Sequence, residues 1–366
     1  MPREDDTLMG ASGQVSAGGS APASGDAAAL QSRISSLQSR LNDIPSKIRL
    51  SDVRDEVGNL ETKSNHVADL ANAVRQQGYA WEKDLEPRCL DYRQRWQTMK
   101  PNIIAAIDRE SSNLGGRETQ IEYQVNWGIR NASESNLGDA ERLLDGFERD
   151  TTAAHDSIRG MYSPFSTELT NLESHLNEIK SMLDQAAQSR VSWLPGEALV
   201  LAVRAQWDRE GNDDPRGFLM LSDQRLLFER NEDVATKKVL FVATAKQHVQ
   251  EVMFDQPLAQ LQSVIASKRG LMGHEDHLDF TFSGAKYRSA HFHIEGQDCN
   301  TWQGMVNRAR SGGLEEMRVK PVSDDETNRL KNAPTHCANC GGALNAPVLR
   351  GQTEVKCPYC GTSNRF

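Results

Sequence analysis

The sequence lacks any apolar run near the roughly 18 residues needed to cross a bilayer; one of the longest, Ala198–Val203, has six. Aromatic residues are also scarce, at 6% of 366, and 25% of the chain is charged. That combination excludes one large core and leaves two or three smaller domains. Basic charge is in deficit: 42 Lys and Arg face 51 Asp and Glu, for a net charge of -9. Such a chain has no global attraction to phosphate backbones or anionic membranes, which argues against a general nucleic-acid coat protein. No basic leader followed by an apolar stretch opens the sequence, since Glu4, Asp5 and Asp6 stand there; a cytoplasmic location is expected. Disulfide scaffolding is excluded too, because four of the six cysteines crowd into the last thirty residues while Cys89 and Cys299 stand alone. There is no phosphate-cradling Gly-rich loop with Lys and Ser/Thr, no G-x-S-x-G and no H-E-x-x-H. The chain is expected not to be an enzyme, and no small-molecule substrate is identified.

What is present falls into regimes. Residues 1–27 are Gly, Ser, Ala and acidic residues without an apolar period, and a disordered tail is expected. From Ala28 the apolar residues step by four and three: Leu30, Ile34, Leu37, Leu41, Ile44 and Ile48, then Val53, Val57, Leu60 and Val67. The stepping returns at Trp81, Leu85, Cys89, Tyr92, Trp96, Met99 and Ile103, at Leu137 through Ile158, and at Phe165 through Leu183. These are heptad seams, so residues 28–192 are expected to form a helical bundle or jointed coiled coil. Pro45, Pro87, Pro101, Pro164 and Gly115–Gly116 are expected to divide it. Ile121, Tyr123, Val125, Trp127 and Ile129 alternate as a strand would, but their neighbours favour helix. Trp81, Tyr92, Trp96 and Trp127 read as core residues at helical spacing. Seams bury surface only against partner helices, so the region must fold back or form a homo-oligomer; the prolines favour folding back at least in part.

After Trp193–Gly196 the pattern becomes β-rich, with short runs at Leu199–Val203, Gly217–Leu221, Arg225–Phe228, Val239–Val242, Leu278–Phe282 and His291–Ile294. A helix capped by Asp298 follows, with Trp302, Val306 and Ala309 on one face. The expectation is a small antiparallel barrel or sandwich closed by that helix. Gly196–Glu197 opening a strand, and the run from Arg216 through Leu221-Ser222-Asp223-Gln224-Arg225 to Glu229, resemble the first half of GRAM and bacterial PH-like domains. Trp302 is similar to the tryptophan such folds place in the closing helix. The resemblance spans residues 193–313 and implies fold more than function. A phosphoinositide pocket would need a basic cluster between the first two strands. Here Trp207–Arg216 carries four acids against two arginines, which argues against that role, and Lys237–Lys238 and Lys268–Arg269 read as loop decoration. Residues 314–334 are expected to be a linker, with a capping box from Ser323 to Glu326.

The most specific chemical signal is Cys337-Ala-Asn-Cys340, sixteen residues, then Cys357-Pro-Tyr-Cys360. Two C-x-x-C turns offer four thiolates to one tetrahedral ion, and Gly341–Gly342 and Gly361 supply the backbone angles such knuckles need. Ala343–Leu349 and Thr353–Lys356 are expected to form a hairpin turning near Arg350–Gly351, so residues 335–366 resemble a zinc ribbon. The metal ligands expected for one structural Zn²⁺ are Cys337, Cys340, Cys357 and Cys360; a rubredoxin-type iron site uses similar knuckles. His336 reads as a solvated neighbour. Residues 331–366 carry a net +3 before a metal, a weak basis for nucleic-acid binding. With Tyr359 as the only non-terminal aromatic there, protein contact is favoured over base stacking.

A second cluster follows from strand alternation. If Leu278–Ser283 pairs with Tyr287–Ile294, then Leu278, Phe280, Phe282, Ala290, Phe292 and Ile294 face the core. His277, Asp279, His291 and His293 then share the other face, which reads either as a solvated sheet surface or as a metal or acid-sensing group. Cys89 reads as a buried structural thiol. Cys299 opens a helix whose dipole could lower its pKa. Together these point to a non-enzymatic scaffold or adaptor with protein partners. The alternatives are a zinc-ribbon nucleic-acid accessory factor and a peripheral membrane adaptor.

Overall fold

The computed structural model describes residues 24–366 apart from 195, 210–213, 240–241, 271–272, 284–285, 320–323, 345–347 and 349–351. Most of the expected tail, the acidic centre of the 207–216 connection, Ser323 and the 350–351 turn therefore lie outside the described residues. Helices α1 (Ser24–Arg49), α2 (Ser51–Gln76), α3 (Leu85–Gly115), α4 (Glu118–Arg130), α5 (Glu134–Gly160) and α6 (Ser163–Gln188) occupy the first half. The seam residues Leu37, Ile44, Val53, Val67, Leu144, Leu169 and Leu176 are all buried within the single chain. Two compact units emerge: one of residues up to Gly58 with Met99–Pro164, the other of Asn59–Thr98 with Phe165–Phe366.

In the first unit the heptad period is visible as charge as well as core. Arg33, Arg40 and Lys47, seven apart on α1, pair with Glu141, Asp145 and Glu148 on α5. The rising register on both helices makes them run parallel. Gly128 of α4 lets α5 approach closely, since a Cβ there would meet the Asn136 carbonyl at 3.0 Å and the Ala140 Cβ at 3.3 Å. The ambiguous 121–129 stretch is helix: Ile121 and Val125 are buried while Tyr123 and Trp127 face solvent, so Trp127 is not a core residue. Two of the four prolines depart from expectation, while the other two mark helix starts as expected. Pro45 lies inside α1 and Pro101 inside α3, while Pro87 and Pro164 sit in first turns, where no donor is lost. Burial of Ile44 and Ile103 beside the two internal prolines offsets a cost of about 3 kcal/mol each. The break after α1 falls at Leu50, whose φ of 49° is left-handed and whose side chain is fully buried.

The second unit contains helical segments and a seven-stranded antiparallel sheet. Trp96 of α3 stacks on Phe165 of α6 with ring centroids 5.4 Å apart. Trp81 belongs to the non-helical stretch between α2 and α3, off the heptad expected for it, and its indole N–H donates to the Leu199 carbonyl at 2.6 Å. The strands are β1 (Leu199–Asp208), β2 (Arg216–Ser222), β3 (Arg225–Val239), β4 (Val242–Pro257), β5 (Leu261–Arg269), β6 (Glu275–Phe282) and β7 (Ser289–Glu295), closed by α7 (Cys299–Arg310). Their order is β4-β3-β2-β1-β7-β6-β5. Of the barrel or sandwich expected, the closed barrel is not found: β4 and β5 stand at opposite ends of that order. The chain turns between them through Pro257 and a short 3₁₀ segment, Leu258–Gln260. One core of Trp207, Phe228, Phe254, Phe280 and Phe292 fills the space under it, and α7, capped by Asp298, covers β5 and β6. Val239–Val242, expected as one strand, has its end residues in β3 and β4, with Val239 paired to Val242, while 240–241 lie outside the described residues. Outside that run the hairpin is largely polar at 229–233 and 246–251, and neither these stretches nor β5 carry a hydrophobic signal strong enough to read from sequence.

The residues that carried the GRAM-like resemblance tie β1 to the β2–β3 turn. Glu197, fully buried, accepts from Leu194 N at 2.7 Å, from the Ser222 hydroxyl at 2.6 Å, and from Arg225 at 2.7 and 3.0 Å. Arg225 also reaches Asp255 and the Ser192 carbonyl. Asp223 accepts from Ala198 N and pairs with Arg318, whose guanidinium lies 4.7 Å from the Trp81 ring centroid. Downstream are α8 (Asp324–Lys331) and a two-stranded ribbon of β8 (Glu354–Lys356) with β9 (Ser363–Arg365). Among the described residues the partner of 354–356 is the C-terminal strand; Ala343 forms a bridge with His336, and 345–347 and 349 of the expected Ala343–Leu349 strand lie outside the described residues.

Removing one member of a buried ion pair strands the other. Glu197→Gln is therefore expected to destabilise the sheet unit by about 3–5 kcal/mol, read as a lower urea midpoint of its unfolding transition. The Glu197→Leu/Arg225→Met double variant is expected to lose less than the single variant. Equal or additive losses would show that the pair is not a coupled buried unit.

Candidate metal centre and neighbouring sites

Each C-x-x-C segment forms the same turn. Gly341 N donates to Cys337 O and Gly361 N to Cys357 O, and both glycines take left-handed φ values of 70° and 76°, angles at which a Cβ is strained. The four Sγ atoms converge, with Cys337 3.6 Å from Cys360 and Cys340 3.6 Å from Cys357. Sulfurs at about 2.3 Å from a tetrahedral ion lie about 3.8 Å apart, so the cluster is compatible with a metal site. Donors face it: Tyr359 N lies 3.4 Å from Cys357 Sγ and the Asn364 amide 3.6 Å from Cys337 Sγ. Thr362, through its hydroxyl and backbone N–H, brings Cys360 down to about 6. Cys340 has the Gly342 N–H to lower it, yet Cys360 and Cys357 push it up to about 12. Four crowded thiols resist joint ionisation unless a cation lies among them. His336 is exposed and bonds to the Thr335 hydroxyl.

The remaining expectations resolve individually. Cys89 is buried with Sγ 3.6 Å from the Val67 carbonyl, and burial raises it to about 11. Cys299 is buried as well, and desolvation with the Asp276 carboxylate raises it. The expected dipole effect loses to burial, and neither thiol is poised as a nucleophile. Lys268 and Arg269 end β5 and are held by acids: Lys268 by Asp276 and Asp298, Arg269 by Asp279. Their charge is committed within the sheet. Register places His277 directly across from His293 and Asp279 across from His291, as strand alternation required, and the six apolar residues of β6 and β7 are buried opposite them.

A site that sequence reading missed lies beside Trp81. A cavity of about 430 Å³ is lined by Tyr79, Trp81, Glu82, His175, Met182 and Trp302 among others. Glu82 has a left-handed φ of 54°, which turns its carboxylate onto the Tyr79 hydroxyl at 2.7 Å and His175 Nε2 at 2.8 Å. Burial opposes ionisation of Glu82, but His175 and Tyr79 hold its pKa below the ordinary value; the same bond raises His175. No periodicity announces a left-handed glutamate, so no sequence signal could have found it.

No protein-family model matches this chain, and no curated protein matches it. Among solved structures it is similar to the Vps36 N-terminal PH domain, with 14% identity, a TM-score of 0.23, and coverage of 32% of this chain and 82% of that one. It is also similar to the PDZ-RhoGEF DH/PH domains in complex with GTP-gamma-S activated RhoA, with 9% identity, a TM-score of 0.27, and 72% and 94% coverage. A third is a Vav1 exchange-factor structure with PH and C1 domains, at 9% identity, a TM-score of 0.23, and 87% and 97% coverage. Likenesses at this level say nothing of what the chain binds. Among the described residues no helix is long and apolar enough to cross a membrane.

The Glu82–His175 contact has a defined pH window. The raised histidine contributes fully below the ordinary histidine range near 6.5 and loses its contribution as pH rises through the raised value; the lowered glutamate loses its own as pH falls through the depressed value. Comparing His175→Gln with the parent, the melting-temperature gap is expected to be larger at pH 6 than at pH 8.5. A gap independent of pH would show that the contact carries no charge.

Proposed function

We propose that the chain is a non-enzymatic cytoplasmic adaptor, built from a helical region, a PH-like domain of the GRAM type at 193–313 and a zinc ribbon at 335–366. In this reading one structural Zn²⁺ is held by Cys337, Cys340, Cys357 and Cys360, and protein partners dock on the ribbon. A closed set of four thiolates leaves no position for substrate, which makes the ion structural. The observation that carries the docking role is Tyr359. It is 69% exposed on the second knuckle, yet its ring lies over Gly342, where any added Cβ would meet it at 2.5 Å. An exposed aromatic already held in place pays little ordering entropy when a partner covers it. The helical seams are covered by the chain itself, so the proposal draws no support from self-association. The nucleic-acid alternative rests on that same tyrosine with little basic charge around it, and the membrane alternative loses Lys268 and Arg269 to internal acids.

Atomic absorption on the purified chain is expected to find zinc, with Cys357→Ser losing the ribbon's equivalent and making residues 335–366 protease-sensitive. Iron in place of zinc, or a protease-resistant Cys357→Ser ribbon, would overturn the structural-zinc assignment.

Pull-downs of tagged full-length protein from native cells are expected to recover protein partners that Tyr359→Ala loses while retaining its metal. Salt-sensitive mobility shifts with DNA or RNA, abolished by the same substitution, would instead support the nucleic-acid reading.

A further inference from the structure

The histidine face of the sheet combines two imidazoles and a carboxylate in a way that the adaptor role leaves unused. Three strands supply it. Asp208 of β1 lies directly across from His291 of β7, which lies directly across from Asp279 of β6. His277 of β6 stands diagonal to His291, within reach of a long side chain. His277 Nδ1 and His291 Nε2 are 2.9 Å apart, and His291 Nε2 is 3.3 Å from Asp208 Oδ2. One nitrogen from each histidine and one oxygen from Asp208 all fall within 4.8 Å of one another.

The second ring nitrogen of each histidine explains why these atoms face inward. His291 Nδ1 bonds to Asp279 Oδ1 at 2.5 Å, and His277 Nε2 lies 3.4 Å from Glu275 Oε2. A carboxylate takes an N–H from the ring, so it fixes the proton on that nitrogen and leaves the other nitrogen with its lone pair. Two lone pairs are thereby turned toward each other and toward a third anionic donor. Such an arrangement needs something electrophilic at its centre. A single shared proton satisfies one pair of the three atoms, whereas a divalent cation satisfies all three. The backing carboxylates match the outer partners that orient metal-bound histidines and strengthen their donation. His293 stacks on His277 at 4.7 Å between centroids and fixes its plane.

We propose that Asp208, His277 and His291 form a second metal site, for a divalent first-row transition ion such as Zn²⁺, on the outer face of β1, β7 and β6. Imidazole and carboxylate donors suit that class of cation, while the absence of sulfur from the set separates it from the cysteine cluster. Bound there, the ion cross-links three strands through side chains on the face away from the core. One cation competes: Arg269 Nη1 lies 3.3 Å from His291 Nε2 while its Nη2 holds Asp279. Its side chain is about half exposed, and an ion at the site replaces its contact with His291 while the pair with Asp279 is kept.

The test uses the full-length chain, stripped of metal and reloaded by equilibrium dialysis at micromolar free Zn²⁺. Two equivalents are expected. His291→Gln and Asp208→Asn are each expected to bind one, and Cys357→Ser is expected to keep the second-site equivalent. Asp279→Asn, which removes the backing carboxylate's charge from His291 and from Arg269, is expected to weaken the second ion at least about tenfold without abolishing it. With Co²⁺, the cysteine site gives thiolate charge-transfer absorption, and the second equivalent adds visible bands with none. Asp208 is half exposed, so its substitution tests ligation without risking the core. A wild-type chain that takes no equivalent beyond the thiolate-ligated one overturns the proposal. So does a second equivalent of unchanged affinity in both His291→Gln and Asp208→Asn.

Discussion

The buried contact of Glu197 with Arg225 and Ser222 is the constraint from which the sheet unit is organised. An ion pair that excludes water recovers its desolvation cost only when the remaining donors and acceptors are satisfied. Here Leu194 N, Ser192 O and Asp255 complete the set. Those bonds fix where β1 starts relative to the β2–β3 turn, and a fixed start sets the register of every residue after it. Asp223, one residue past Ser222, carries the same turn outward to Arg318 and so to the Trp81 ring. Val319 N donates to the Ala80 carbonyl at 2.8 Å, so the segment after α7 is hydrogen-bonded to the stretch between α2 and α3. A sequence motif first read as a mark of fold proves to be the polar joint that holds this unit together.

That joint also shows how far sequence could reach. Heptad spacing located the helices because a buried seam repeats whatever it packs against, and alternation along β6 and β7 sorted core from surface with each residue on the right side. Pro45 and Pro101 misled because a proline's local cost is outweighed when Ile44 and Ile103 beside it are buried. Trp81 followed the heptad by coincidence of spacing, while its indole hydrogen bond to Leu199 comes from a residue 118 positions away. Beyond Phe228 the β3–β4 hairpin was read only at its 239–242 run, because 229–233 and 246–251 are largely polar and bear no period of two. At the cysteine cluster, the convergence of Cys337, Cys340, Cys357 and Cys360 was legible from spacing alone, since C-x-x-C is a local turn. Asp208 was not, because it joins the histidines only through the β1–β7 pairing, which is long-range.

Charge follows the same division between what is local and what is assembled. Lys268 and Arg269 look in sequence like an exposed basic pair, and in the fold each is neutralised by an aspartate on a neighbouring element. Lys268 holds Asp298 down to about 2, the same aspartate that caps α7 through Thr301 N. The lysine thus helps fix the closing helix on β5. A basic residue engaged in this way is a poor candidate for a phosphate headgroup, since binding one would cost the helix its anchor.

The two cysteine knuckles set a different energetic problem from the rest of the chain. The ribbon's buried cluster consists of Cys337, Leu344, Val355 and Cys357, with Val348 and Phe366 against it, and two of its four fully buried members are thiols. Hydrophobic burial on that scale falls short of the conformational entropy of ordering some thirty residues, at about 1–2 kcal/mol for each backbone. The hydrogen bonds of Asn364 to Val355 and Ala338 hold the knuckles together, but each adds only about 1 kcal/mol net. In the zinc reading proposed above, ligation makes up the difference, since its free energy is at the same time folding free energy. On that same reading the surface that presents Tyr359 depends on the four thiolates sharing one cation, and docking on the ribbon becomes conditional on metal supply.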